Sequence, residues 1–127
     1  MSRLQKTGFL VAMLAIGLAT AAPVKAERVD AKLNYGHIWG EVTVHKDVVD
    51  WKLNLRDTKP NDKGVFGVIY IDLNNKPDPD FTGGFTSGGQ VRKWNDKKKG
   101  YFPVRGARLE LCEEEGDCRE VAYIPER

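Results

Sequence analysis

The sequence predicts an all-β fold, an antiparallel β-sandwich of about seven or eight short strands, with a small closed β-barrel as the alternative. Three observations carry that expectation. Apolar and polar residues alternate with a period of two in several stretches. Clusters of Gly, Asn, Asp and Pro interrupt them at strand-length intervals. No window of a dozen residues in 27–127 carries a 3.6-residue period.

Residues 1–26 read as a secretory signal peptide. Arg3 and Lys6 precede an uncharged apolar run from Gly8 to Ala19, and small residues with Val24 and Ala26 then supply a cleavage site after Ala26, a cut after Ala21 or Ala22 being the alternative. The apolar run, roughly a dozen residues, is shorter than the ~20 that a membrane-spanning helix needs. No cysteine follows it at which a lipid could be attached. The expected product is a secreted, extracellular, monomeric domain, 27–127, with no membrane attachment after cleavage.

Cleavage removes Arg3, Lys6 and Lys25 but no acid, so the formal charge of +2 becomes −1. The basic balance belongs to the leader, and net charge gives no support for a nucleic-acid partner.

In chain order, Val29, Ala31, Leu33 and Tyr35 share one face of a first strand, and Ile38, Val42 and Val44 share one face of a second. Val49, Trp51, Leu53 and Leu55 alternate with Asp50, Lys52, Asn54 and Arg56 in a third. "VFGVIYI", 65–71, is apolar on both faces and predicts a central strand. Further strands are expected around Gln90–Trp94, Tyr101–Val104, Ala107–Cys112 and Cys118–Ile124. The intervening "DTKPNDKG", "TGGFTSGG", "NDKKKG" and "EEEGD" read as turns, the last two as solvated hairpin tips. Cys112 and Cys118 are the only cysteines, and an exported hairpin predicts a structural disulfide between them. Leu109, Leu111, Val121 and Tyr123 share the opposite phase, which places that disulfide away from the hairpin's apolar contacts.

Two stretches, "LNLRDTKPNDKGVFGVIYI" and the closing "RLELCEEEGDCREVAYIP", resemble the small secreted β-sandwich proteins of actinobacteria, which have one export signal, one domain and no established biochemical function. The resemblance implies fold and location and supplies no catalytic residues.

For chemistry, "DLNNKPDPDF" offers Asp72, Asn74, Asp78 and Asp80 as hard oxygen ligands for a weak calcium site. Lys76, Pro77 and Gly83 occupy positions where an EF-hand loop needs a ligand, a glycine and a bidentate glutamate, so the reading is a surface loop with millimolar or no affinity, its shell to be completed by backbone carbonyls, water, or Asp57 and Asp62 from the neighbouring turn. Ser87 is the one serine of 27–127 and is not in a G-x-S-x-G turn, while His37 and His45 lie about 26 Å apart if one strand holds both. Nothing singles out a carboxylate pair for glycoside hydrolysis, and the expectation is no enzyme and no cofactor. Trp39 shares the phase of His37 and Glu41, which makes it either an exposed stacking platform or a residue re-aimed by a bulge at Gly36 or Gly40 or covered by a loop. Trp94 with Lys97, Lys98 and Lys99 forms a basic, aromatic segment interrupted by Asp96. The functional expectation is an extracellular binding or structural module. A carbohydrate or cell-envelope polymer binder using Trp39, Trp94 and those lysines is one alternative, and a small hydrolase or enzyme inhibitor another.

Overall fold

The computed structural model describes residues 24–74 and 76–127, so the expected signal peptide, apart from Val24 to Ala26, falls outside the described residues. Eight strands form: β1 (Glu27–Leu33), β2 (Gly36–His45), β3 (Val48–Asp57), β4 (Val65–Leu73), β5 (Asp80–Thr86), β6 (Val91–Lys99), β7 (Val104–Glu113) and β8 (Cys118–Pro125). They make two four-stranded antiparallel sheets, β1-β2-β3-β6 and β5-β4-β7-β8. Each sheet keeps two free edges, so the fold is an open sandwich and the barrel alternative falls away.

Alternation builds the core. Ile38, Val42, Val49, Leu53, Leu55, Val65, Ile69, Ile71, Leu109 and Leu111 all point between the sheets and are fully buried, each side chain stabilising by about 1.5–3 kcal/mol relative to exposure. Asn34–Tyr35 and Lys46–Asp47 close the first two hairpins. The Tyr35 hydroxyl donates to Leu111 O at 2.8 Å, pinning the first turn to the opposite sheet. Cys112 and Cys118 are directly opposite in β7 and β8 and are bonded, in the phase opposite to Leu109 and Leu111.

Four expectations need correction. The Gly-rich segment read as a turn contains strand β5, because long-range packing demands its glycines. A Cβ at Gly67, Gly83 or Gly84 would come within 2.3, 2.4 and 2.9 Å of the Trp94 side chain, so the three glycines form a trough for the indole. Second, Lys97–Lys99 are the end of β6, paired with Val48–Asp50, and not a hairpin tip. Third, Tyr101–Pro103 is irregular, with a cis bond before Pro103, and β7 starts at Val104. Fourth, a bulge at Val121 shifts the register of β8, turning Ala122 and Ile124 inward and Tyr123 outward.

The acidic "EEEGD" tip is not simply solvated either. Glu113 accepts from Asn61 Nδ2 at 3.2 Å and Glu114 from Gly64 N–H at 3.1 Å, tying the β3–β4 loop down.

Candidate binding surface

Strand parity sends half of each strand of the β1-β2-β3-β6 sheet outward, and register aligns those residues in rows. Arg28, Glu41, Lys52 and Asn95 make one row; Asp30, Trp39, Asn54 and Lys93 the next; Lys32, His37, Arg56 and Val91 a third. Beyond the first lie Thr43, Asp50 and Lys97, then His45, Val48 and Lys99. Seven basic side chains thus face three acidic ones, Asp30, Glu41 and Asp50, on one surface. The outer face of the other sheet has the opposite sign. Asp72, Asp80, Glu110 and Glu120 outnumber Arg105, 3.9 Å from Asp72, and Arg108, whose guanidinium lies 4.2 Å from the Tyr70 ring centroid and 3.7 Å from Glu120. A chain near neutrality overall therefore separates its charge by face, which net charge alone cannot reveal.

Trp39 stays on the outer face. Its strand pairs without a break from Gly36 to His45, so neither Gly36 nor Gly40 makes the bulge that would have re-aimed it. Gly40 instead has φ of 144°, and a Cβ there would meet Lys52 O at 2.1 Å. The indole is half-buried against the His37 ring, 4.3 Å between centroids, and His37 Nε2 sits 2.6 Å from Asp30 Oδ1. The indole remains partly exposed among the basic rows.

Trp94 is a correction: it is 8% exposed, in the core against Trp51 at 5.6 Å, and cannot serve a ligand. Lys98 is another. It points inward from β6, pairing with Asp96 at 3.3 Å and standing 4.9 Å over the Phe81 ring. Such inward charges on an edge strand discourage sheet-to-sheet pairing between molecules. Lys97 and Lys99 do face outward and join Trp39. Arg28, Lys32, Lys52 and Arg56 had no place in the sequence-based site, although their outward phase in alternating strands was the signal that would have found them.

Two depressions flank Trp39 on this face. One of about 290 Å³ is lined by Lys32, Leu33, Gly36, His37, Arg56 and Thr58. The other, of about 140 Å³, is lined by Ala26, Glu41, Thr43, Asp50 and Lys52. Around the end of the sheet a cleft of about 750 Å³ runs from Arg56 to Asp62 and to Gly88 and Gly89. Asp57 at its floor is 3% exposed, accepting from Lys59 N–H and from Gly88 N–H at 3.2 Å each, so its carboxylate is occupied in joining two loops.

The four candidate oxygen ligands of the surface loop are dispersed in role. Asp72 lies in β4 and accepts from the Tyr123 hydroxyl at 2.7 Å, Asp78 accepts from Leu73 N–H at 3.1 Å, Asn74 is exposed in the β4–β5 connection and Asp80 opens β5. Burial foremost, then the bond to Asp72, pushes the Tyr123 phenol above its ordinary pKa. Asp57 and Asp62 sit at the other end of β4 and do not complete a shell. Among the described residues, the one group of three metal-ligating types whose donor atoms gather is Glu110, Cys112 and Cys118, and its two sulfurs are bonded to each other. His37 and His45 are both on β2, His45 engaged by Arg127 O, while Ser87 is in the β5–β6 loop. No protein-family model matches the chain, and neither a curated protein nor a solved structure is significantly similar to it.

Proposed function

We propose that this chain is an exported, non-catalytic binding module that holds an anionic cell-envelope polymer on the outer face of the β1-β2-β3-β6 sheet. The observation that carries the reading is the arrangement of seven basic side chains around Trp39 on one sheet face, against an acidic face on the other side. Opposite-sign faces orient the domain toward a polyanion, and the flat indole adds a surface on which a sugar ring stacks. A binder rather than a hydrolase is supported by the place of Ser87, the one serine of 27–127, in the β5–β6 loop and outside a G-x-S-x-G turn. The export leader supports an envelope polymer over nucleic acid as the polyanion.

Retention of the purified protein on envelope material provides the test, before and after chemical removal of its anionic polymers, with cellulose and chitin as neutral controls. Retention is expected only with the anionic polymer present. It should weaken steeply between low and physiological salt, as contacts made by several cations do, and fall at least tenfold in the Lys93→Glu/Lys97→Glu variant. Equal retention on neutral polymers, or indifference to that variant, would refute the reading. Intact mass of the exported protein tests the leader, with Glu27 expected as the new N-terminus.

A further inference from the structure

Resting on that reading, we infer that the depression beside Trp39 is a discrete subsite for a phosphate group, whether borne by a polymer or free. Lys32, His37 and Arg56 occupy one cross-strand row, directly opposite one another on β1, β2 and β3, and the same three line the 290 Å³ depression with Thr58. No other row of this face places three cationic or imidazole side chains side by side. The adjacent row contains one acid, Asp30, whose carboxylate is engaged by His37, and the row beyond it contains Glu41.

The row is also held in place. Arg56 Nε donates to Gly89 O at 3.1 Å, which fixes the guanidinium while leaving its terminal nitrogens as donors, and a forked guanidinium matches two oxygens of a phosphate. His37 is fixed by the stack on Trp39 and by the contact of Nε2 with Asp30. Gly36, between Leu33 and His37 in the lining, brings no side chain into the depression. Lys32 supplies a point charge and Thr58 a hydroxyl, so one depression gathers an ammonium, a guanidinium and a hydroxyl beside the imidazole, enough donors for a tetrahedral oxyanion. A planar carboxylate would use fewer of them, which favours phosphate chemistry.

Two-dimensional amide NMR of the full protein, titrated with inorganic phosphate, with a glycerol phosphate oligomer and with acetate, tests the inference. Phosphate is expected to shift Lys32, His37, Arg56 and Thr58 with millimolar affinity, the oligomer to shift the same residues at lower concentration, and acetate to act at least several-fold more weakly. Arg56→Gln and Lys32→Gln should each lower phosphate affinity about tenfold, the scale of a lost charge-assisted hydrogen bond, while Arg108→Gln on the opposite sheet should not. Shifts spread evenly to Lys93 and Lys97, or phosphate affinity unchanged in both row variants, would overturn the subsite. Envelope retention measured on the same preparations separates the two proposals. Retention without a localised phosphate response refutes the subsite alone, and a localised response without retention refutes the polymer reading alone. A response to inorganic phosphate but not to the oligomer identifies free phosphate as the ligand.

Discussion

Replacing Gly67 by alanine puts a methyl group where the Trp94 indole lies. The added Cβ would stand 2.3 Å from Cζ3 and 2.9 Å from Cε3, where ordinary carbon contacts are about 3.5–4.0 Å. The indole cannot simply retreat, because Trp51 packs edge-on against it at 5.6 Å and Gly83 and Gly84 line its other side. Overpacking of this kind costs about 1–3 kcal/mol, partly offset by the ~0.5–1 kcal/mol that alanine gains over glycine within a strand. A net loss of about 1–2 kcal/mol corresponds to a fall in Tm of roughly 5–15 °C for a domain of this size. In a Trp94→Leu background the smaller side chain vacates the space, so the same Gly67→Ala change should be close to neutral. Urea unfolding of wild type, both single variants and the double variant, followed by far-UV circular dichroism, gives the coupling directly. An equal cost in both backgrounds would place the strain in the backbone of β4 rather than at the indole, and no cost in either would mean that Trp94 does not fill the trough.

Replacing Cys112 and Cys118 together by alanine should lower stability by about 2 kcal/mol without preventing folding, since the bond closes a loop of sequence separation 6 and the core lies elsewhere; loss of all cooperative unfolding would contradict this. Alkaline stability should depend on Tyr35, whose phenol is pushed above its ordinary pKa by burial and by Asp117, Glu113 and Glu110, with Arg119 opposing. A raised value means that the fold favours the neutral phenol, so its contribution is complete below about pH 10 and is lost as pH climbs through the folded value. Tyr35→Phe should cost about 1 kcal/mol at neutral pH and flatten that alkaline loss, as read from urea midpoints across the range; an unchanged alkaline slope would rule Tyr35 out as its source. Calcium below a millimolar should leave Tm unmoved, because Asp72 and Asp78 are turned to Tyr123 and to Leu73 N–H. A rise of several degrees, abolished by Asp78→Ala, would show that the β4–β5 connection closes on an ion.

Strict alternation made β1 to β3 readable, as Val49, Trp51, Leu53 and Leu55 show, and β4 was readable because it is apolar on both faces and buries Val68 as well as Val65, Ile69 and Ile71. β5 was hidden by its glycines. Read locally they make turns, and only Trp94, brought from β6 across the sandwich, explains why a strand there must lack side chains. The same long-range packing took Trp94 out of the expected site. Lys98 was misplaced because an edge position tolerates a charge on the inward phase, so polarity there does not report direction. Tyr123 was misplaced by a one-residue bulge that leaves no mark in composition. The phase of Trp39 was legible, as was that of Arg28 and Lys52, whereas which of these residues stand side by side in one row depends on the register of four strands.

The place of β6 also has a kinetic consequence. The pairings β1–β2, β2–β3, β4–β5 and β7–β8 join chain neighbours through short turns, but β6 must find β3 across a large loop, with Val48 opposite Lys99 and Arg56 opposite Val91. Pairing β4 with β7 is similarly remote, Val65 lying opposite Glu113. Closure of such loops is entropically unfavourable before their contacts form, so the hairpins are expected early and these two pairings late, over milliseconds to seconds. β6 then arrives carrying both the indole that locks into the other sheet and the lysines that complete the basic face. A chain stalled before that step would lack both the indole bolt and the complete basic face, so the proposed binding of a polyanion would, where it occurs, report finished folding.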